Sequence, residues 1–315
     1  MSLEWLYGFD ELNAYRLDTK KGKERLEAQI KNLPGLLALA EIEFSKRPRI
    51  LCLMAGSCIE GIAFAKVYDA DVTCIDLQER LLAKGLREAQ KRKLKLRVVH
   101  GDVREPSKLV TGKFDLVTVL GQPLPHIGIF DFDQTISGVK KLLAKNGSFL
   151  IDQSDLIFRI LPQYRDAMTH NLEPPVFSIH STLNARHGYF ERLFYSRTKQ
   201  DMYKTYLWAP WIIEYMLKKN GFTSVEVKPY ADPYNMAQTY LHIARGLAAP
   251  YGRYAKLAVE GTNKGKSEPF WAADCSLPNR TRTEQALIGN LCGRSGNHVC
   301  PTLLARVRVP FRRSR

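Results

Sequence analysis

Two carboxylates and a short run of small residues stand at the ends of apolar segments, where together they could hold an adenosine-containing ligand. Ala55, Gly56, Ser57 and Cys58 follow the apolar stretch 49–53, and the small side chains let backbone amides approach a ligand at a helix start. Asp76 ends Val72-Thr73-Cys74-Ile75-Asp76 and precedes Leu77, and an ionised carboxylate there can accept both hydroxyls of a ribose. Asp102 closes Val98-Val99-His100-Gly101-Asp102, where it can accept from an adenine amino group. Each acid taken alone is equally well a helix N-cap. Nucleotide-phosphate chemistry is excluded on spacing. The loop lacks G-x-G-x-x-G, and Gly56 and Gly61 are followed by Ile62-Ala63 where a P-loop needs Lys and then Ser or Thr.

Those residues need an alternating scaffold, and the hydrophobic pattern supplies one. Apolar runs of strand character at 50–53, 72–75, 96–99, 116–120 and 148–151 alternate with helical spacing at 59–67, 78–92 and 135–143. Parallel neighbours need crossovers, so this rhythm predicts a doubly wound α/β sheet with helices on both faces. Residues 1–48 form an N-terminal helical section that Pro48 stops. The rhythm breaks at about 154–210, where aromatic-rich segments 176–179, 189–195 and 202–207 predict antiparallel hairpins forming a lid. The main pattern resumes with a helix over 211–219, then strands over 225–228 and 239–244.

Composition narrows the class. A hydrophobic share of 45% and a charged share of 25% are those of a globular protein, and no apolar run approaches the roughly 18 residues that cross a bilayer. The N-terminal residues do not read as a secretory signal, so the expected location is cytoplasmic, with no membrane partner. Cys52, Cys58 and Cys74 fall in or beside apolar segments and read as reduced core thiols, and no metal site is expected. The net charge of +15 is uneven: from Tyr251 onward there are 12 Lys+Arg against 4 Asp+Glu. Residues 249–315 are expected to be a poorly ordered basic extension. Lys84 to Arg97 reads either as a solvated helix face or as a nucleic-acid contact.

The order of small-residue loop, Asp76, Gly101-Asp102 and Phe114-Asp115-Leu116-Val117 resembles the class I S-adenosylmethionine-dependent methyltransferases over about residues 45 to 245. Val119-Leu120-Gly121-Gln122-Pro123-Leu124-Pro125-His126 is similar to the L-G-N-S-x-x-H segment of the small-molecule, glycine N-methyltransferase-like branch. The resemblance implies a seven-stranded, mostly parallel Rossmann-like sheet with an antiparallel last strand, in a methyltransferase domain over 49–248. It implies S-adenosylmethionine held by the Gly56 loop, with its ribose on Asp76 and its adenine near Asp102 and Val103. Leu120 and Gly121 would line its methionine part, and Tyr15 would close over it. Gln122 and His126 would border the reacting centre, His126 being either a general base or a packing residue at a helix start. The family loop carries glycines where this chain has Met54 and Cys58. Arg192, Tyr206 and Trp208 are candidate substrate contacts on the lid, although the same alternation describes a strand with one buried face. The expected reaction is methyl transfer to a nitrogen or oxygen of a small molecule, and a homo-oligomer is compatible with the sequence. An RNA methyltransferase and a cofactor-binding protein without transfer activity are the alternatives.

Overall fold

The computed structural model describes residues 16–157, 165–172, 175–198, 200–230 and 238–247. The expected extension over 249–315 and Tyr15 lie outside the described residues. Helix α1 spans Lys20–Leu39, and β1 (Arg49–Leu53), α2 (Ile59–Tyr68), β2 (Asp71–Asp76), α3 (Glu79–Lys91) and β3 (Leu96–His100) follow in strict alternation. A single helical turn, α4 (Pro106–Leu109), then leads to β4 (Phe114–Val119), α5 (Ile129–Leu142) and β5 (Leu143–Ser154). After an insert the fold closes with α6 (Pro210–Lys219), β10 (Phe222–Tyr230) and β11 (Thr239–Leu247).

The seven strands form one sheet in the order β10-β11-β5-β4-β1-β2-β3. Strands β1 to β5 pair in parallel, and β11 runs antiparallel to both β5 and β10, as the resemblance implied. Strand order reverses between β1 and β4. The carboxyl ends of these two strands therefore flank the crevice in which open α/β sheets bind ligand.

Period-2 alternation sorts the core into two layers. Ile50, Cys52, Val72 and Cys74 pack with Leu26, Leu37 and Phe64 on the face that carries α1 to α3. Leu51, Leu53, Ile75 and Phe149 pack with Phe132, Ile136 and Ile213 on the face that carries α5 and α6. Cys52, Cys58 and Cys74 are free and buried, and the neighbouring thiols together with burial push the Cys74 thiol well up, so they act as small core hydrophobes.

The insert is a second, four-stranded antiparallel sheet: β6 (Ala167–Leu172), β7 (Pro175–Asn184), β8 (Tyr189–Tyr195) and β9 (Gln200–Tyr206). The hairpin pattern foresaw three of these strands. Strand β6 reads Ala-Met-Thr-His-Asn-Leu, which carries no aromatic or β-branched run, and only its pairing with β7 makes it a strand. Three further boundaries differ from the sequence pattern. Helix α1 ends at Leu39 rather than near Pro48 and tolerates Pro34 inside it, because Leu33, Leu36 and Leu37 are anchored in the core. Helix α5 begins at Ile129 rather than Thr135, and β5 runs on to Ser154 because β11 pairs with it along that length. Among the described residues no helix is long and apolar enough to cross a membrane.

Candidate functional site

Strand β1 delivers its chain into a tight turn whose backbone is mostly left-handed. Met54, Gly56 and Cys58 have φ of 54°, 49° and 60°. The first and last of these would suit glycine, and each non-glycine residue held there costs about 1 kcal/mol. The surroundings impose the geometry. Ala55 donates to the Ile75 carbonyl at 3.1 Å, Cys58 N–H to the Ala55 carbonyl at 2.7 Å, and Ile62 N–H to the Cys58 carbonyl at 2.8 Å. Helix α3 braces the turn at Gly85, where a Cβ would come within 2.5 Å of the Ser57 carbonyl and 2.8 Å of Cys58. Ser57 and Cys58 are buried, so neither presents its side chain to a ligand, and what this part of the loop can offer is backbone. Above Gly56 the space is open, with nothing within 4 Å of where a Cβ would stand.

Asp76 reaches across from β2 to this turn. One carboxylate oxygen accepts from Gly56 N–H at 2.8 Å and the other from Gln78 N–H at 2.8 Å. Desolvation raises its pKa above the usual carboxylate range, and the backbone donors oppose that rise. The Leu77 N–H also donates to it, and with about four lone-pair sites on a carboxylate, acceptor capacity remains for a hydroxyl donor. Leu77 follows at 60% exposure, an apolar side chain held out beside the carboxylate, and His100 Nε2 pairs with its carbonyl at 3.0 Å. Asp102 is clamped by Arg104: the backbone N–H donates at 2.9 Å and the guanidinium grips the other oxygen, which keeps the carboxyl below its usual range. Gly101 lies close against Leu109, whose methyl groups a Cβ would approach to 2.6 Å. Val103 is buried, leaving its backbone to face a ligand.

On the other side of the crevice, Leu120 is 8% exposed, and Gly121 and Gln122 turn the chain with φ of 87° and 60°. Gln122 is fixed at three points. Its N–H donates to Asp152 at 2.9 Å, its amide nitrogen to Thr239 at 3.2 Å, and its amide oxygen accepts from Ser154. Asp152, Ser154 and Thr239 are buried polar residues that the sequence reading missed, because nothing in a strand pattern marks which polar positions face inward. It also missed Arg25 and Glu60. The Arg25 guanidinium, buried on α1, pairs with the Glu60 carboxylate at 3.3 Å, and a Cβ on Gly121 would stand 3.1 Å and 3.3 Å from them. A cation and an anion side by side at the crevice match the carboxylate and ammonium of an amino-acid group.

His126 sits in a 3-10 turn, Leu124–His126, and its Nδ1 is hydrogen-bonded to the Tyr203 hydroxyl of β9 at 2.7 Å. Burial pushes its pKa down to about 4, so the ring is neutral at neutral pH. His242 on β11 behaves alike: fully buried, with Nε2 donating to the Pro210 carbonyl at 3.2 Å, it is also pushed down to about 4 by burial. In the unfolded chain both rings titrate near 6.5, so their contribution to stability is complete above that pH and is lost as pH falls toward 4. Each should cost about 2 kcal/mol at pH 5 relative to pH 7.5. Urea unfolding at the two pH values measures this, and His242→Gln should roughly halve the difference; equal stability at both would contradict the buried, neutral assignment.

The three expected substrate contacts part ways. Trp208 is fully buried, edge-on to Phe132 at 5.4 Å, and its Nε1–H donates to the carbonyls of Leu124 at 2.8 Å and Ile127 at 3.1 Å. It is a core residue that pins the His126 turn. Arg192 is 4% exposed and spends its guanidinium inside the insert, on Ser178 Oγ at 2.8 Å and on the carbonyls of Arg165, Asp166 and Ser178. Tyr206 alone stays partly open, edge-on to Tyr189 at 5.5 Å and close against Gly128, where a Cβ would come within 2.8 Å of its ring. Tyr203, part of the aromatic-rich segment 202–207 but not singled out within it, joins the insert to His126.

Residues 50–147 match a family model described as a methyltransferase domain. Among solved structures, the PH0226 protein from Pyrococcus horikoshii OT3 is similar over 77% of this chain and 98% of that one, with 18% identity and a TM-score of 0.58. A S-adenosylmethionine-dependent methyltransferase from Clostridium acetobutylicum ATCC 824 is similar over 78% and 98%, with 13% identity and a TM-score of 0.58. The CcbJ methyltransferase from Streptomyces caelestis is similar over 70% and 90%, with 17% identity and a TM-score of 0.54. At such identities the likeness is one of fold. No curated protein matches the chain.

Proposed function

We propose that this chain, which carries a methyltransferase domain over residues 50–147, is a class I S-adenosylmethionine-dependent methyltransferase acting on a nitrogen or oxygen of a small molecule, with a neutral amine the favoured acceptor. The observation that carries the cofactor reading is the Asp76 carboxylate, tied to the Gly56 turn at 2.8 Å beside open space and at the sheet's switch point. Asp76 accepts from the ribose and Leu77 offers an apolar surface to the adenine. The backbone around Gly101, Asp102 and Val103 borders the ring. Ala55, Gly56, Leu120 and Gly121 line the crevice, and Arg25 with Glu60 meets the amino-acid group. When bound, S-adenosylmethionine supplies an electrophilic methyl group on a sulfonium.

The chain's own part is to align the acceptor and to exclude water. Gln122, held by Asp152, Ser154 and Thr239, cannot swing, and the His126–Tyr203 pair joins the turn after β4 to the insert. With its Nδ1 engaged and its pKa near 4, His126 is a weak base that positions rather than abstracts. An acceptor that arrives with a free lone pair needs no stronger base, which favours a neutral amine over an alcohol. The insert acts as a lid over that acceptor. The RNA reading loses part of its motive, because Lys84 is bonded to Asp18 at 2.8 Å and Arg92 to Glu27 and Glu88.

Calorimetry with S-adenosylmethionine, followed by turnover on a panel of small amines, alcohols and an RNA oligomer, tests the proposal. No cofactor binding, or turnover on RNA alone, would sink it. The lid gives a separate expectation. Arg192→Met should cost the insert about 2–3 kcal/mol through its unpaired acceptors, while cofactor affinity holds. Hydrogen exchange should quicken across 175–195; unchanged exchange with lost acceptor affinity would restore Arg192 as a substrate contact.

A further inference from the structure

On the face of the large sheet that carries α5 and α6, the amino-terminal halves of β2 and β3 have no helix over them. The crossover from β3 to β4 holds only α4, and that turn packs elsewhere, Leu109 against Gly101 and Pro106 against Gly138 of α5. A cleft of about 470 Å3 remains, lined by Arg49, Asp71, Thr73, Lys95, Arg97 and Phe114, among others. Register explains why so many of these converge. Arg49 pairs with Asp71 and Thr73 with Arg97, so alternation puts them on one face, and Lys95, just before β3, continues it.

The electrostatics of the cleft are one-sided. Asp71 is the one carboxylate of the lining, and it shares Arg47, at 3.1 Å, with Asp69 at 3.5 Å, so three cations face one partly compensated anion. The Arg49 guanidinium lies over the Phe114 ring at 5.2 Å, which fixes it without neutralising it. Arg49, Lys95 and Arg97 have no ion-pair partner among the described residues. Three cations without ion-pair partners and the Thr73 hydroxyl thus line one open cleft of ligand size. Two of the cations are guanidiniums, whose planar forks match phosphate oxygens two at a time, and a concave site concentrates their field.

We infer that this cleft is a second binding site, for a small phosphorylated ligand, at the end of the sheet opposite the Asp76 crevice. A nucleic acid is disfavoured because a track along α3 would need Lys84 and Arg92, which are committed to Asp18, Glu27 and Glu88. The site is independent of the methyl-transfer chemistry and stands whatever the acceptor proves to be.

The test is calorimetry of the full chain with inorganic pyrophosphate at low salt, against the double variant Lys95→Gln/Arg97→Gln. The basic segment after residue 250 is common to both proteins, so the difference isolates the cleft. Wild-type protein should bind, and the double variant should bind at least about tenfold more weakly with its circular dichroism unchanged. Absence of pyrophosphate binding, or equal binding by both proteins, overturns the inference. So does a single-stranded RNA oligomer that binds through Lys95 and Arg97 where pyrophosphate does not.

Discussion

Asp76→Ala should weaken S-adenosylmethionine binding by about two to three orders of magnitude, because it removes charge-assisted hydrogen bonds worth about 1.5–3 kcal/mol each. Two effects add. In the proposed binding mode the ribose loses an ionised acceptor, and the Gly56 N–H loses the partner that holds the loop at 2.8 Å. The loop then has less to offset the strain of Met54 and Cys58 at positive φ. Asp76→Asn keeps one oxygen to accept from Gly56 while its NH2 replaces the acceptor of the Gln78 N–H and the charge is gone, so its affinity should fall between wild type and Ala. Calorimetry on the three proteins decides. An unchanged dissociation constant for Asp76→Ala would move the cofactor away from this crevice.

Trp208→Ala should destabilise the fold by about 3–5 kcal/mol, the usual range for deleting a fully buried large aromatic side chain. The loss reaches beyond packing. Its Nε1–H is the donor to the Leu124 and Ile127 carbonyls, so the turn carrying His126 loses two anchors at once. Trp208→Phe keeps part of the ring contact with Phe132 but forfeits those bonds and leaves a small cavity where the second ring stood, which should cost about 2–3 kcal/mol. Denaturant unfolding of both variants resolves the two contributions. If Trp208→Ala instead kept full stability and lost only acceptor affinity, Trp208 would face the substrate after all.

The sequence by itself determined the parts that depend on local pattern. Apolar runs separated by helical spacing require crossovers, and crossovers require a parallel sheet, so the α/β layering and the positions of Gly56, Asp76, Asp102 and Gln122 at strand ends follow from periodicity alone. The insert was legible as hairpins for the same reason. Tertiary structure alone decided which side chains face a ligand. Trp208 and Arg192 read equally well as substrate contacts or as one buried face of a strand, and in the fold one fills the core and the other is spent on the carbonyls of its own sheet. A period-2 pattern says that alternate residues share a face, but the face that meets water is chosen by what packs against it. Arg25 and Glu60 lie 35 residues apart and belong to different helices, so only packing of α1 on α2 could bring them beside Gly121. Met54 and Cys58, out of place in a glycine loop, are accommodated because Asp76, Gly85 and the buried cysteine neighbours hold the turn from outside it, and no local propensity carries that information.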